Sequence, residues 1–282
     1  MNQDELIQEL RQKYGLSYHV PYALKAQELI GFRNKKVLEV GGSLPEGFVL
    51  GELGAEQWIA VENLSYWQEQ PDQGGGSPPT DIPERMLTSI DRHESLPKYE
   101  VLSGRVEELP MALYSQFDLI FSIAAFEHIL QFPLALDRMY LALRSGGCLF
   151  TMFSPLWSAH DGHHLPNIID ESGKKIGFHD SPIPPWGHLL MRPPGLMRHL
   201  LQHTDFATAA TIIYYTYHSS HINRLFAEDY VAYFHASPFE IESLMPTFFT
   251  EIPKNVDDEL KRLYPGRENF ANNGILAVLR KS

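Results

Sequence analysis

Histidine is concentrated between residues 154 and 188, as His160-Asp161-Gly162-His163-His164, then His179-Asp180, then Trp186-Gly187-His188. Imidazoles and carboxylates at this density can move a proton or ligate a metal. The spacing matches no compact zinc signature such as His-Glu-x-x-His, and no cysteine pair supports one, so the sequence predicts no metal centre. Of the two chemistries, proton transfer is the one expected. One of His160, His163, His164 or His188 is the expected general base, with Asp161 or Asp180 orienting it, and His128 is the other candidate.

A second constellation lies upstream. In Val37-Leu38-Glu39-Val40-Gly41-Gly42-Ser43 an apolar run carries a carboxylate and ends in paired glycines. A buried strand that ends in a tight turn has this form. In open α/β sheets, ligands bind in the crevice beyond the carboxyl ends of the strands, so the turn is a candidate cofactor cradle. Trp58-Ile59-Ala60-Val61-Glu62-Asn63 repeats the pattern and again ends in a carboxylate. The run from Gly41 to Gly47 does not fit the Gly-x-Gly-x-x-Gly spacing of dinucleotide folds, which disfavours a nicotinamide-dependent oxidoreductase.

Composition narrows the classes further. At 282 residues, with 44% hydrophobic and 21% charged residues, the chain suits a globular protein with a sizeable core. Its net charge of −12 argues against nucleic acid and against an anionic membrane surface. A lone cysteine, Cys148, excludes an internal disulfide and fits a reducing, cytoplasmic setting. The first residues lack the basic and apolar regions of a signal peptide, and no apolar run reaches the roughly 20 residues of a membrane span.

The elements that must position these residues follow from periodicity. Residues 3–13 and 22–30 read as helices that cap the N-terminus (1–30). Strands are expected at Val37–Val40, Trp58–Asn63, Tyr99–Leu102, Phe117–Ser122 and Cys148–Phe153. Gly47–Leu53 looks like the start of a helix, and Phe132–Leu143 is an amphipathic helix ended by Arg144-Ser145-Gly146-Gly147. Further on, the spacing gives a helix over Pro193–His203, a β-branched and tyrosine-rich strand over Ala207–Tyr217, a helix over Ile222–Phe234 and a final strand over Gly274–Arg280. Alternating strands and helices imply an α/β, doubly wound, mostly parallel sheet with an antiparallel edge strand. The insertions 64–98 and 154–273 supply loops and helices that form a lid for substrate, within a single domain spanning 1–282.

Taken together, these stretches resemble the class I methyltransferases that use S-adenosylmethionine. Val37-Leu38-Glu39-Val40-Gly41-Gly42 is similar to that family's first motif, and Glu62 falls where the family places its ribose-binding acid. Phe117–Ser122 followed by Phe126-Glu127-His128-Ile129 resembles the fourth strand and the helix after it, and Leu143–Leu149 resembles the turn before the fifth strand. The resemblance covers residues 35–153 and implies a Rossmann-like fold with S-adenosylmethionine as cofactor. Its implied cofactor residues are Glu39, Val40, Gly41, Gly42, Glu62, Asn63, Arg105, Val106, Ser122 and Ile123. Two positions depart from the pattern: Ser43 stands where a second glycine is usual, and Arg105, which has no acceptor, stands near the usual adenine-binding acid.

The implied reaction is methyl transfer to a hydroxyl of a small-molecule acceptor, plausible in natural-product biosynthesis, with a histidine taking the proton. N-methylation of a small amine is the near alternative. A non-catalytic scaffold is the remote one, since a scaffold has no need of Glu39, Gly41 and Glu62.

Overall fold

The strands form where apolar runs can be buried on both faces, as parallel sheets require. The computed structural model describes residues 2–63, 85–91 and 94–282. β1 (Lys36–Val40), β2 (Gln57–Glu62), β3 (Tyr99–Ser103), β4 (Phe117–Ile123) and β5 (Leu143–Phe153) pair in parallel, with Leu38 opposite both Ile59 and Ile120. All of β4 is buried. The remaining strands are a two-residue hairpin, β6 (Ile168–Ile169) with β7 (Lys175–Ile176), and the pair β8 (Glu240–Phe249) and β9 (Asn272–Arg280).

The seven-stranded sheet has the order β3-β2-β1-β4-β5-β9-β8. β9 runs antiparallel to both β5 and β8, as expected of the terminal strand. β8 was not legible in the sequence; it covers the outer side of β9, so β9 lies one place in from the edge. The order reverses between β1 and β4. At such a switch point the connections leave β1 and β4 in opposite directions and open a crevice at their carboxyl ends.

Helices cover the sheet. α1 (Gln3–Tyr14) starts with a reciprocal cap between Asn2 and Glu5 and ends at Gly15 in the left-handed conformation; α2 (His19–Leu29) follows at once. Both pack, through Leu10, Val20, Ala23 and Ala26, into an apolar cluster with Phe32, Trp58, Phe121 and Phe150. On the other face α3 (Phe132–Ala142) buries Phe132, Ala135, Leu136 and Met139, the spacing of one helix face. Residues 47–52 form a π-helical turn, Gly47–Glu52, where a helix start was expected.

The region 154–273 contains α4 (Gly187–Leu190), α5 (Pro193–Leu200), α6 (Phe206–Tyr217), α7 (Ala227–Ala236) and α8 (Lys254–Leu263). The strand expected over Ala207–Tyr217 is wrong: this is helix α6. Its β-branched residues favour strands only weakly, and tertiary burial of Thr208, Ala209, Ile212 and Thr216 along one helical face decides the outcome. The start signal was Asp205, whose carboxylate accepts the Thr208 N–H at 2.8 Å and is held down to about 2, first by the Thr208 hydroxyl and then by that N–H. Part of the expected insertion 64–98, residues 64–84 and 92–93, lies outside the described residues. Among the described residues, no helix is long and apolar enough to cross a membrane.

Candidate active site

The turn after β1 is shaped by two contacts that exclude larger residues. Gly41 has φ +76°, and a Cβ there would lie 2.3 Å from the Cβ of Ala125 at the end of β4. A Cβ on Gly42 would lie 2.5 Å from Glu39 Oε1. The turn is therefore packed between the β4 loop and a buried acid, with no room for a side chain at either position.

Glu39 is 2% exposed. Its Oε2 accepts the Trp58 indole N–H at 2.6 Å and the Leu44 N–H at 3.0 Å. Burial pushes its pKa up to about 7, against the pull of these two donors. Glu62, at the end of β2, is also buried. The Gly41 N–H reaches the Val61 carbonyl at 2.9 Å, and the Gly104 N–H reaches the Glu62 carbonyl at 3.0 Å, so three neighbouring strand ends are tied together.

A cavity of about 1220 Å3 opens over these strand ends. Of the expected cofactor residues, Glu39, Val40, Gly41, Gly42, Glu62, Asn63, Arg105, Val106 and Ile123 line it; Ser43 lines it too. Ser122 does not: its hydroxyl is turned onto the Val40 carbonyl at 2.8 Å and clamps β4 to β1. The Arg105 guanidinium is engaged by the Glu108 carboxylate at 2.6 Å, while Glu107 beside it is buried and faces the cavity.

The histidines separate into two groups. His128 and His164 line the cavity, with ring centroids 5.2 Å apart at 90°. His160, His163 and His188 do not. His160 Nδ1 contacts Thr250 Oγ1 at 3.2 Å and lies 3.4 Å from Asp161. His163 is buried and accepts the Leu165 N–H on Nδ1 at 3.1 Å. His188 donates from Nε2 to the Trp157 carbonyl at 2.8 Å, and burial pushes its pKa down to about 4. Asp161 and Asp180 line the cavity, and the Asp161 carboxylate lies 3.4 Å from His160 Nδ1.

Tautomers at the cavity follow from the carbonyl partners, since a carbonyl oxygen only accepts. His128 Nδ1 lies 2.6 Å from the His221 carbonyl, so Nδ1 carries the hydrogen and Nε2 is the basic nitrogen. His164 Nε2 lies 2.7 Å from the Pro155 carbonyl, which leaves Nδ1 basic. Burial holds His128 down to about 4 and His164 well below its ordinary value, so both rings are neutral at pH 7. Glu127, between Phe126 and His128, is 3% exposed and faces the same space. One of its oxygens, Oε2, is buried without a hydrogen-bond partner, and burial raises the carboxyl to about 8.

Sequence reasoning missed the groups that hold this corner. Asn223 donates its backbone N–H to the Glu127 carbonyl at 2.8 Å and its side-chain amide to the carbonyls of Phe126 and Ile129 at 2.7 and 3.0 Å. His221 lines the cavity and donates from Nε2 to the His164 carbonyl at 2.9 Å. Tyr18, His19 and Tyr22, at the start of α2, also line the cavity. The only available signal was the cluster of aromatic and imidazole residues where the first helix breaks.

Sheet order and cavity together define a Rossmann-like fold with its crevice at the switch point. Residues 73–151 match the family model described as a methyltransferase domain. The matched segment includes β3, β4 and most of β5; the turn at Gly41 precedes it. No curated protein matches the chain. Solved structures similar to it include an S-adenosylmethionine-dependent methyltransferase from Mesorhizobium loti (14% identity, 94% of this chain and 98% of that one, TM-score 0.45). Another is the Haemonchus contortus phosphoethanolamine N-methyltransferase 2 in complex with S-adenosyl-L-methionine (12% identity, 93% and 52%, TM-score 0.46). A third is the Burkholderia thailandensis 1,6-didemethyltoxoflavin N1-methyltransferase (12% identity, 100% and 91%, TM-score 0.42).

Proposed function

We propose that the cavity binds S-adenosylmethionine at the ends of β1 and β2 and transfers its methyl group to a hydroxyl of a small molecule held toward β4 and the 154–188 segment. The observation that carries this reading is the single cavity that joins the Gly41 turn and Glu62 at one end to His128 and His164 at the other. The methionine end lies against the Gly41–Gly42 backbone, where its ammonium returns Glu39 to the charged form. Glu62 accepts hydrogen bonds from the two ribose hydroxyls, and Glu107 or nearby backbone, in place of Arg105, meets the adenine.

Methyl transfer is an in-line displacement, so the chain's main contribution is alignment. A hydroxyl acceptor also loses a proton, and the basic nitrogens of His128 and His164 stand at the acceptor end to take it. An amine acceptor loses its proton more readily and has less need of them, which is why oxygen is favoured over nitrogen. A role in natural-product biosynthesis fits a cavity of this size, and the composition fits the cytoplasm.

Calorimetry with S-adenosylmethionine tests the cofactor site directly. Binding should weaken roughly 10- to 100-fold in Glu62→Ala, the loss of hydrogen bonds to a charged group, with the fold retained by circular dichroism. Unchanged affinity refutes this placement of the ribose. Methyl-labelled cofactor offered with a panel of phenols and matched amines tests the acceptor: label found on amines alone overturns the hydroxyl reading.

A further inference from the structure

Glu127, His128 and His164 each present one ligand atom, and these three atoms lie within 4.8 Å of one another. All three residues line the cavity. We propose that they form a binding site for one divalent first-row transition-metal ion, with coordination positions open to the cavity. No local spacing signals this grouping, because His164 comes from a different segment than Glu127 and His128.

Four observations carry the proposal. The donor set is two imidazoles and one carboxylate, which suits ions from Mn2+ to Zn2+ and leaves positions for other ligands. Each imidazole gives its N–H to a backbone carbonyl, His128 to His221 and His164 to Pro155, the arrangement that orients a metal-binding histidine and fixes its tautomer. Glu127 Oε2 is buried with no hydrogen-bond partner, an arrangement that costs free energy until a cation or donor reaches it. Finally, the backing is built: residues 221–223 hold all three ligands at once. The His221 carbonyl holds the His128 ring, the His221 side chain holds the His164 carbonyl, and Asn223 clamps the turn that carries Glu127 and His128.

The open positions place the ion where the acceptor's oxygen would sit, a consequence that rests on the hydroxyl-methylation reading. There the basic nitrogens bind the ion instead of a proton. A hydroxyl bound to the ion would lose its proton to solvent more readily. The oxygen's electron pair would then form the bond to the methyl carbon as the carbon–sulfur bond breaks toward sulfur.

The test uses metals alone. The whole chain, stripped with a chelator, is titrated with Zn2+ by calorimetry and with Co2+ by visible absorption. One equivalent should bind, with a cobalt spectrum that changes when excess azide is added. Affinity should fall at least ~100-fold in Glu127→Gln and in His164→Ala, beyond the loss of an outer-shell partner. The exposed His203→Ala should bind as the parent does. Absence of a one-equivalent site in the parent chain overturns the proposal whether or not the variants fold, as does binding that both ligand substitutions leave intact. A cobalt spectrum indifferent to azide removes the open position. Calorimetry of the same stripped protein with S-adenosylmethionine reports separately on the methyltransferase reading, which fails if the cofactor does not bind while the metal does.

Discussion

Gly41→Ala tests the packing of the turn after β1 most directly. Gly41 sits at φ +76°, where a side chain costs roughly 1–2 kcal/mol because Cβ crowds the following carbonyl. The added methyl would also overlap the Ala125 Cβ at 2.3 Å. Forcing an extra methyl into a packed site costs roughly 1–3 kcal/mol more, so the expected loss is about 2–5 kcal/mol. That is a large share of the roughly 5–15 kcal/mol that holds a typical domain folded. Equilibrium urea unfolding measures it. The double variant Gly41→Ala/Ala125→Gly removes the overlap and leaves the backbone strain, so it should recover the overlap's share of the loss, read as a coupling energy between the two sites. Stability of Gly41→Ala within about 0.5 kcal/mol of the parent, the usual range for a surface change, refutes the argument, as does a double variant no better than the sum of the singles.

Two further outcomes follow from the histidines. His160→Ala should keep turnover close to the parent, while His128→Gln should lower it by about 100-fold or more, the scale of lost proton transfer or acceptor activation; equal losses in a labelled-methyl assay would undo the division into cavity and structural histidines. His188 is fully buried, with its pKa moved from 6.5 to about 4. A histidine that is harder to protonate when folded contributes stability that is complete above pH 6.5 and lost as pH falls toward 4; the shift corresponds to roughly 3 kcal/mol. Urea midpoints measured between those pH values should fall less steeply in His188→Gln than in the parent, and parallel slopes would count against it.

The sheet was largely legible because buried parallel strands leave a local signature: a short apolar run with no polar alternation, as in Val37–Val40 and Phe117–Ser122. The glycine turn after β1 was legible for a related reason, since a carboxylate and paired glycines at a strand end answer to backbone constraints within a few residues. Local patterns failed where partners come from afar. Residues 206–217 carry strand-favouring side chains, yet burial of one face makes them helical. β8 exposes much of its length and so shows no apolar run to read.

Residue types and order thus determined on their own the strands that frame the crevice, the strand-end acids Glu39 and Glu62, and the density of imidazole after β5. Only the tertiary structure decided which imidazoles face the cavity. His163 and His164 are neighbours in sequence, but one ring serves its own loop and the other meets His128. The grouping of Glu127, His128 and His164, braced by residues 221–223, depends on three segments meeting at the end of β4. Periodicity describes how a segment meets the core; it does not encode which distant segment it will meet, and the chemistry at this corner depends on that meeting.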